Sequence, residues 1–420
     1  MMRISGRRKP STQSSTRSSF SGNNNFPGEI RGHRPDYMIV FLSMLLLSIG
    51  LIVVYSISPG LAASEGVSTE HFINKQIVSV GLGLIAFTIM SMLPIELLFR
   101  LRKHLAAVAL FASVLLLFVG ERINGAVRWI DLPGGISFQV AELIKICIII
   151  GLSYELSRRM SKAQVNDSNR TLKPLIGLLL LVAIFVAFLQ SDFGSAAVIT
   201  AIIFAQAISA GLPFKKISMV MVVVLIIGLI AIMSTPYRRE RVKTFVNPSK
   251  DCLTQNEESL GAGYQTCQAL IAVGSGGVIG LGVGNSVQAY GYLPEAENDS
   301  IFAIIGEKFG FIGVTIIIFL YLFLFSRFKT IIERLQKNEY KLFVVGVLTW
   351  LATQTIINIG AMVGLLPLKG ITLPLVSYGG TSLLFIMIGL GMVFRLSRFT
   401  TFRDIMVSDE KANNLSSRRR

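Results

Sequence analysis

The most constraining feature of this chain is a series of apolar stretches long enough to cross a lipid bilayer, or nearly so. They fall at residues 38–57, 76–93, 105–119, 139–156, 174–190, 193–211, 217–234, 301–326, 342–364 and 373–396. In hydrocarbon every backbone N–H and C=O must be paired within the protein, so runs of this length fold as helices. Composition closes the soluble alternatives: of 420 residues, 52% are apolar and only 15% charged, with a mean hydropathy of +0.63. The expected fold is an all-α polytopic membrane protein of about ten transmembrane helices. The first run is too long and too late for a signal-peptide core and lacks a small-residue cleavage site, so it should be retained as a span.

Residues 1–36 are rich in Ser, Asn, Gly and Arg and read as a disordered basic tail. Residues 37–398 form the transmembrane domain, and residues 399–420 a second basic tail. Lys and Arg favour the cytoplasmic side, which puts the loops near Arg102, Arg158, Lys215 and Arg327 and the tail from Arg395 inside. The Glu65/Glu70 loop then falls outside, and an even number of crossings leaves both termini in the cytoplasm. The connection at 235–300, between the seventh and eighth spans, is by far the longest. It falls outside, and being Gly-rich and partly apolar it is expected to fold against the membrane surface. No inverted half-to-half repeat is visible, which weighs against a carrier.

The 40 Lys and Arg against 24 Asp and Glu give a formal charge of +16. In a soluble chain this would suggest a nucleic-acid partner. Here the cations cluster between apolar runs, as at Arg100, Arg102 and Lys103 or at Arg158, Arg159 and Lys162, and membrane orientation accounts for them. Three cysteines and three histidines, without CxxC or HExxH, give no zinc-ligand spacing, so any metal would rest on oxygen ligands. Cys147 lies within an apolar run and reads as a core residue, whereas Cys252 and Cys267 share the outer loop, where a disulfide could persist. The glycines between Gly274 and Gly284 lack the Lys-Ser/Thr of a phosphate loop, so no nucleotide is expected.

Cations on the outer face run against the orientation rule and ask for a reason. Arg128 lies in Gly120-Glu-Arg-Ile-Asn-Gly-Ala-Val-Arg-Trp129, and Arg238, Arg239, Arg241 and Lys243 lie in Tyr237-Arg-Arg-Glu-Arg-Val-Lys243. They could clamp a lipid-headgroup phosphate, or meet ordinary anionic lipids and Glu240. Glu142 and Lys145 share one face of the fourth span and fit either a helix-locking ion pair or the wall of a polar substrate cavity. Asp192, in Gln190-Ser-Asp-Phe-Gly194, is a helix N-cap or a secondary site residue. Asp299, in Leu293-Pro-Glu-Ala-Glu-Asn-Asp-Ser-Ile-Phe302, stands where the outer loop enters the eighth span. An N-cap suits it, and so does a general base taking a proton from a hydroxyl. Glu307 follows about two turns deeper, broadly on the same side.

At these residues the chain resembles the SEDS family of bacterial shape, elongation, division and sporulation proteins, from about residue 39 to 398. The matching pieces are Asn124-Gly-Ala-Val-Arg-Trp-Ile130, Gln139 with Glu142 and Lys145, Gln190-Ser-Asp-Phe-Gly194, Gly263-Tyr-Gln265, Leu293-Pro-Glu295, Asp299 with Ile301-Phe-Ala303, and Leu373-Pro-Leu-Val-Ser-Tyr-Gly-Gly-Thr-Ser382. Leu366-Pro-Leu-Lys-Gly-Ile-Thr-Leu-Pro-Leu375 and Ile305-Gly-Glu-Lys-Phe-Gly310 resemble the division branch more than the elongation branch.

The resemblance implies a peptidoglycan glycosyltransferase that polymerises lipid II at the outer face of the bacterial plasma membrane, at the division septum. Asp299 would be its essential acid, and Gln265 and Ser377, within matching pieces, would join the substrate-binding set. It further implies a class B penicillin-binding protein and other division membrane proteins as partners. A divalent cation, Mg²⁺ or Mn²⁺, would have Asp299 as its candidate ligand, and no nucleotide is needed because the lipid pyrophosphate is already an activated leaving group. A lipid II flippase and a non-catalytic scaffold for the transpeptidase are the alternatives. The chain departs from the family pattern at Glu297-Asn-Asp-Ser300, where His-Thr-Asp-Phe is usual, at Val140-Ala141 for Pro-Ser, and at Ala289 for a lysine.

Overall fold

The computed structural model describes residues 34–120, 122–123, 126–132, 136–233, 239, 242, 245 and 262–400. The apolar runs become helices: α1 (Tyr37–Glu65), α2 (Glu70–Met92), α3 (Ile95–Val119), α4 (Val140–Ser161), α5 (Lys173–Val182), α6 (Phe193–Ser209) and α7 (Phe214–Met233). After the long connection come α8 (Ala262–Ser275), α9 (Ile301–Arg334), α10 (Asn338–Met362) and α11 (Gly380–Leu396). Wider π-helical turns at Ser168–Leu172 and Ala183–Leu189 extend α5 into one rod. Among the described residues eight of these rods are long and apolar enough to cross a membrane. Of the remaining two expected spans, α6 is shorter at 17 residues, and α4 carries Glu142, Lys145 and Glu155.

Packing ranks the helices. α10 and α11 lie at the centre, α10 against α4, α6 and α9 and α11 along α2, with Trp350, Leu351, Leu390 and Val393 excluded from solvent. On the rim, α2, α3 and α7 turn Ile85, Phe111, Phe118 and Leu225 outward, as lipid-facing helices must.

Three local features depart from the run-by-run expectation. Between α3 and α4 the chain makes two antiparallel hairpins, β1 (Arg122–Ile123) with β2 (Ala126–Val127) and β3 (Trp129–Leu132) with β4 (Ile136–Gln139). The run expected at 373–396 is helical only from Gly380; Leu373 to Gly379 form a turn with Leu375 at φ +68°. Finally, α9 is broken at Gly310 (φ +64°, ψ −162°). The backbone groups freed there are paired by the segment after α8, through Leu281 N–H to Glu307 C=O (2.9 Å), Gly282 N–H to Lys308 C=O (3.0 Å), Phe311 N–H to Gly277 C=O (2.9 Å) and Ile312 N–H to Val278 C=O (3.1 Å). Irregular backbone inside an apolar layer requires such pairing, and residues 277–282 of the long connection thus fold onto the bundle.

The first and last described residues come together: Arg34 and Thr400 line one cavity, and Thr400 bridges to Leu335 just past α9. Asp299 lies beyond the opposite end of α9.

Candidate active site

Asp299 is held in a tight turn before α9. Glu295 adopts φ +53°, its carbonyl accepts from the N–H groups of Asn298 and Ser300, each at 3.1 Å, and Ser300 Oγ donates to Pro294 C=O at 2.9 Å. The cap position of α9 is occupied by Ser300 and carries no side-chain cap bond. The N-cap reading of Asp299 therefore fails. Its side chain is only 6% exposed, and Oδ1 accepts from Gln265 Nε2 at 3.2 Å. Gln265 Nε2 also reaches Ser300 Oγ at 3.0 Å. Gln265, expected among the substrate-binding residues, thus bonds the acid directly.

A second segment straps this turn down. Asn358 Nδ2, from α10, donates to the carbonyls of Asp299 (2.7 Å) and Ile371 (2.8 Å). Ser377 Oγ donates to Asn298 C=O at 2.6 Å and accepts from Leu373 N–H at 2.7 Å, and Tyr378 N–H donates to Glu297 C=O at 2.8 Å. Ser377 is 5% exposed, and both its bonds serve the junction between residues 294–300 and 371–378.

Arg128 approaches the same point from the hairpin region. Its Nη2 donates to Ser191 C=O at 2.9 Å, while its buried Nε has no partner among the described residues. Between Arg128 and Asp299 lies exposed Gly370. A Cβ there would sit 3.7 Å from Arg128 Nη1 and 3.8 Å from Asp299 Oδ2. The missing side chain leaves a notch with a guanidinium on one wall and a carboxyl on the other. Lys369 adjoins it, with Nζ 5.8 Å from the Phe193 ring centre. Asp192 borders the site through Ser191 but is itself a helix cap, its Oδ1 accepting from Ser195 N–H at 3.0 Å.

Burial, then the negative charge of Glu295 and more weakly of Glu297, drives the Asp299 carboxyl up to about 8, against the hydrogen bonds from its own backbone and from Gln265. A carboxyl so poised titrates near neutral pH, the range suited to a group that takes a proton and returns it.

Beneath the site runs a polar file. Trp350, Gln354 and Asn358 recur every fourth residue on α10, and Trp350 Nε1, Gln354 Oε1 and Asn358 Oδ1 are buried without partners among the described residues. At its foot Lys145 Nζ lies 5.5 Å from the Trp350 ring centre and bonds Glu142 Oε1 at 2.7 Å. Both groups of that pair are buried, and Glu142 Oε2 lacks a partner. The pair links two turns of α4 beside the Trp350 ring. Glu307, by contrast, is spent on structure: it accepts from Ser286 Oγ (2.5 Å), Val287 N–H (2.8 Å) and Gln288 N–H (3.1 Å).

Arg238, Arg241, Lys243 and Cys252 lie outside the described residues, and Arg239 is described only as exposed and helical. Cys267 is disulfide-bonded, and Cys147 is free and buried. Asn358, Lys369 and Gly370 were not singled out from the sequence. The signal for Asn358 was there, an amide within an apolar helix and so in need of partners.

Residues 36–402 match the FtsW/RodA/SpoVE model, described as "Cell cycle protein". The chain is 35% identical over 364 residues to the "Probable peptidoglycan glycosyltransferase FtsW" of Hydrogenovibrio crunogenus, covering 86% of this chain and 91% of that one. It is 34% identical over 376 residues to the stage V sporulation protein E of Bacillus subtilis, covering 88% and 98%. Among solved structures it resembles a chain described under "Structural coordination of polymerization and crosslinking by a peptidoglycan synthase complex", with a TM-score of 0.71, 27% identity, and coverage of 87% of this chain and 98% of that one.

Proposed function

Because the chain belongs to the FtsW/RodA/SpoVE family, we propose that it is a peptidoglycan glycosyltransferase that polymerises lipid II into β-1,4 glycan strands, with Asp299 as general base. The observation that carries this reading is the buried carboxyl of Asp299, held by Gln265 and facing Arg128 across the bare backbone of Gly370. A hydroxyl seated in the notch meets the carboxyl, while an anionic group beside it meets the guanidinium.

The acceptor sugar's 4-hydroxyl gives its proton to Asp299 as its oxygen bonds the anomeric carbon of the donor. The donor's bond to the pyrophosphate oxygen breaks with inversion, from the α-linked lipid to a β-1,4 linkage. Charge builds on the departing pyrophosphate, and preorganised donors aimed at such charge supply much of a catalyst's effect. Arg128 is the donor at hand, with Lys369 beside it; Arg238, Arg239, Arg241 and Lys243 are the further candidates. Among the described residues no three His, Cys, Asp or Glu side chains form a metal-ligating group. A Mg²⁺ or Mn²⁺ ion would therefore rest on Asp299 and on the substrate's own phosphates, a common arrangement for Mg²⁺.

The division-like segments at 305–310 and 366–375 favour the FtsW branch and a septal role, with the RodA-like elongation role as the alternative. A class B penicillin-binding protein is the proposed partner, since glycan strands need crosslinking and the similar solved chain belongs to a complex described by both polymerization and crosslinking. Other division proteins would join it. Asp299 would face the outside of the plasma membrane and both termini the cytoplasm.

Labelled lipid II given to the purified protein tests the reading. Polymer should form, and Asp299→Asn should abolish it with the thermal unfolding transition retained; full polymerisation by that variant would sink the base assignment. The polar file between Asn358 and Glu142 favours a second reading, a flippase. Liposome assays separate the two, since lipid movement without polymer would select flipping. A scaffold alone would let Asp299→Asn support growth.

A further inference from the structure

One deeply buried amide takes no part in the site described above. Gln76, on α2, is 1% exposed, and its Oε1 has no hydrogen-bond partner among the described residues. Polar side chains buried to this depth are normally hydrogen-bonded, so the orphaned amide asks for a ligand. Its neighbours show where it points, because residues 72, 76, 79 and 83 recur by three and four and share one face of α2. The Phe72 ring centre lies 6.0 Å from that of Tyr378. Ser79 Oγ lies 3.5 Å from the place a Cβ of Gly380 would take, and Gly83 faces Met387 and Leu383 of α11. Gln76, between Phe72 and Ser79, is thereby set against the first residues of α11.

That end of α11 is open. Gly379 holds the cap position without a side-chain cap bond, and the first amide to bond back into the helix is Leu383 N–H, to Gly379 C=O at 3.2 Å. The N–H groups of Gly380, Thr381 and Ser382 thus face out of the helix with the positive end of its dipole, an arrangement that receives phosphates. Neither glycine is demanded by the fold. Gly379, at φ 170°, is extended as any residue can be, and Gly380 is helical. A Cβ on either would meet no neighbouring side chain nearer than 3.5 Å. Bare backbone at two successive, half-buried positions leaves room for a group that approaches the amides closely.

The first turn of α11 also borders the notch. Thr381 Oγ1 accepts from Gln139 N–H at 3.2 Å, and Gln139 pairs with Trp129, the neighbour of Arg128. The Ser382 and Thr372 hydroxyls lie 3.3 Å apart, and Thr372 is two residues beyond Gly370. Ile77 and Val78, next to Gln76, are exposed on the lipid-facing side of α2, so an anion carried by a lipid has its hydrocarbon tail within reach.

We propose that the N-terminus of α11 and the Gln76 amide bind the pyrophosphate of a polyprenyl-linked donor. The N–H groups of Gly380, Thr381 and Ser382 meet its oxygens, and Gln76 turns Nε2 toward them, a half-rotation of the amide exchanging acceptor for donor. The inference rests on the glycosyltransferase reading and deepens it, since it gives the leaving group a set of donors besides Arg128.

Full-length protein in phosphatidylcholine nanodiscs, titrated with polyprenyl pyrophosphate and, as the uncharged control, polyprenol, provides the measurement. Gln76→Leu and Gly380→Ala should each weaken binding of the pyrophosphate lipid about tenfold, the size of one hydrogen bond to a charged group, and leave polyprenol binding unchanged. Tm should hold or rise in both, because one removes an orphaned buried polar group and the other replaces a helix glycine. Weaker binding with Tm intact therefore separates a lost ligand contact from a lost fold, and Gly379→Ala carries the same expectation should either variant unfold. Equal binding of the two lipids by the unsubstituted protein would overturn the proposal, as would undiminished binding by the variants. Inorganic pyrophosphate should compete only weakly; competition at the lipid's own concentration would mark a free-anion site and overturn the lipid assignment. The titration needs no turnover. An active Asp299→Asn variant would end the base assignment and leave this site standing, whereas an inactive one beside unaltered binding in the Gln76 and Gly380 variants would end this site alone.

Discussion

For Asp299 as the proposed base two requirements oppose one another: a base must be ionised to act, yet burial favours the protonated carboxyl. With the group raised from its ordinary 3.8 to about 8, polymerisation should rise through the neutral range and level off above about pH 8. Two substitutions should move that limb in opposite directions. Gln265→Ala removes a hydrogen bond that favours the carboxylate and shifts the limb to higher pH; Glu295→Gln removes a repelling charge and shifts it to lower pH. Initial-rate profiles check both. Stability follows with its own sign. A carboxyl that holds its proton more tightly folded than unfolded costs stability as pH rises from about 4 to about 8. Asp299→Asn should therefore raise Tm by a few degrees above pH 8, and by nothing near pH 4. Residue type alone left Asp299 and Asp192 each open between cap and chemistry. The fold divides them, because Ser300 takes the cap of α9 while Ser195 N–H claims Asp192. The meeting of Arg128 with Asp299 across Gly370 was not legible, since nothing in the local sequence of either residue encodes the other's position.

For the helices, apolar run length was enough to find nearly every rod, because hydrocarbon permits few other backbone solutions. It failed where apolar residues carry irregular backbone. The break at Gly310 lies inside the apolar run 301–326, interrupted near it only by Glu307 and Lys308; the turn at Leu373 to Gly379 likewise lies within an apolar run and reads as helix. Gly310 sits in a region of backbone space open essentially to glycine alone. A Cβ there would also collide with the backbone of Val278 and Gly280. Gly310→Ala should lose at least about 1–3 kcal/mol, read as a lowered Tm in detergent. Asn358→Ala should leave the carbonyls of Asp299 and Ile371 without their shared donor, at about 1–3 kcal/mol for a buried unmet group. Because that amide ties the turn holding Asp299 to the 371–378 segment, the proposed reaction predicts that its loss depresses polymerisation more than unfolding temperature alone would account for.

At the scale of the whole molecule, α9 separates two ends of opposite character, the acidic turn with its notch at one and the arginine-lined cavity at the other. Lys369 and Lys329 mark these ends. In intact cells a membrane-impermeant maleimide should label Lys369→Cys, and should reach Lys329→Cys only after permeabilisation; the reverse pattern would invert the proposed orientation. Arg34 and Thr400, the first and last described residues, line one cavity. Their closeness matters to anyone imaging the protein. A donor fluorophore fused before residue 34 and an acceptor fused after residue 400 would exchange energy within a single copy, so such a signal could not be counted as self-association.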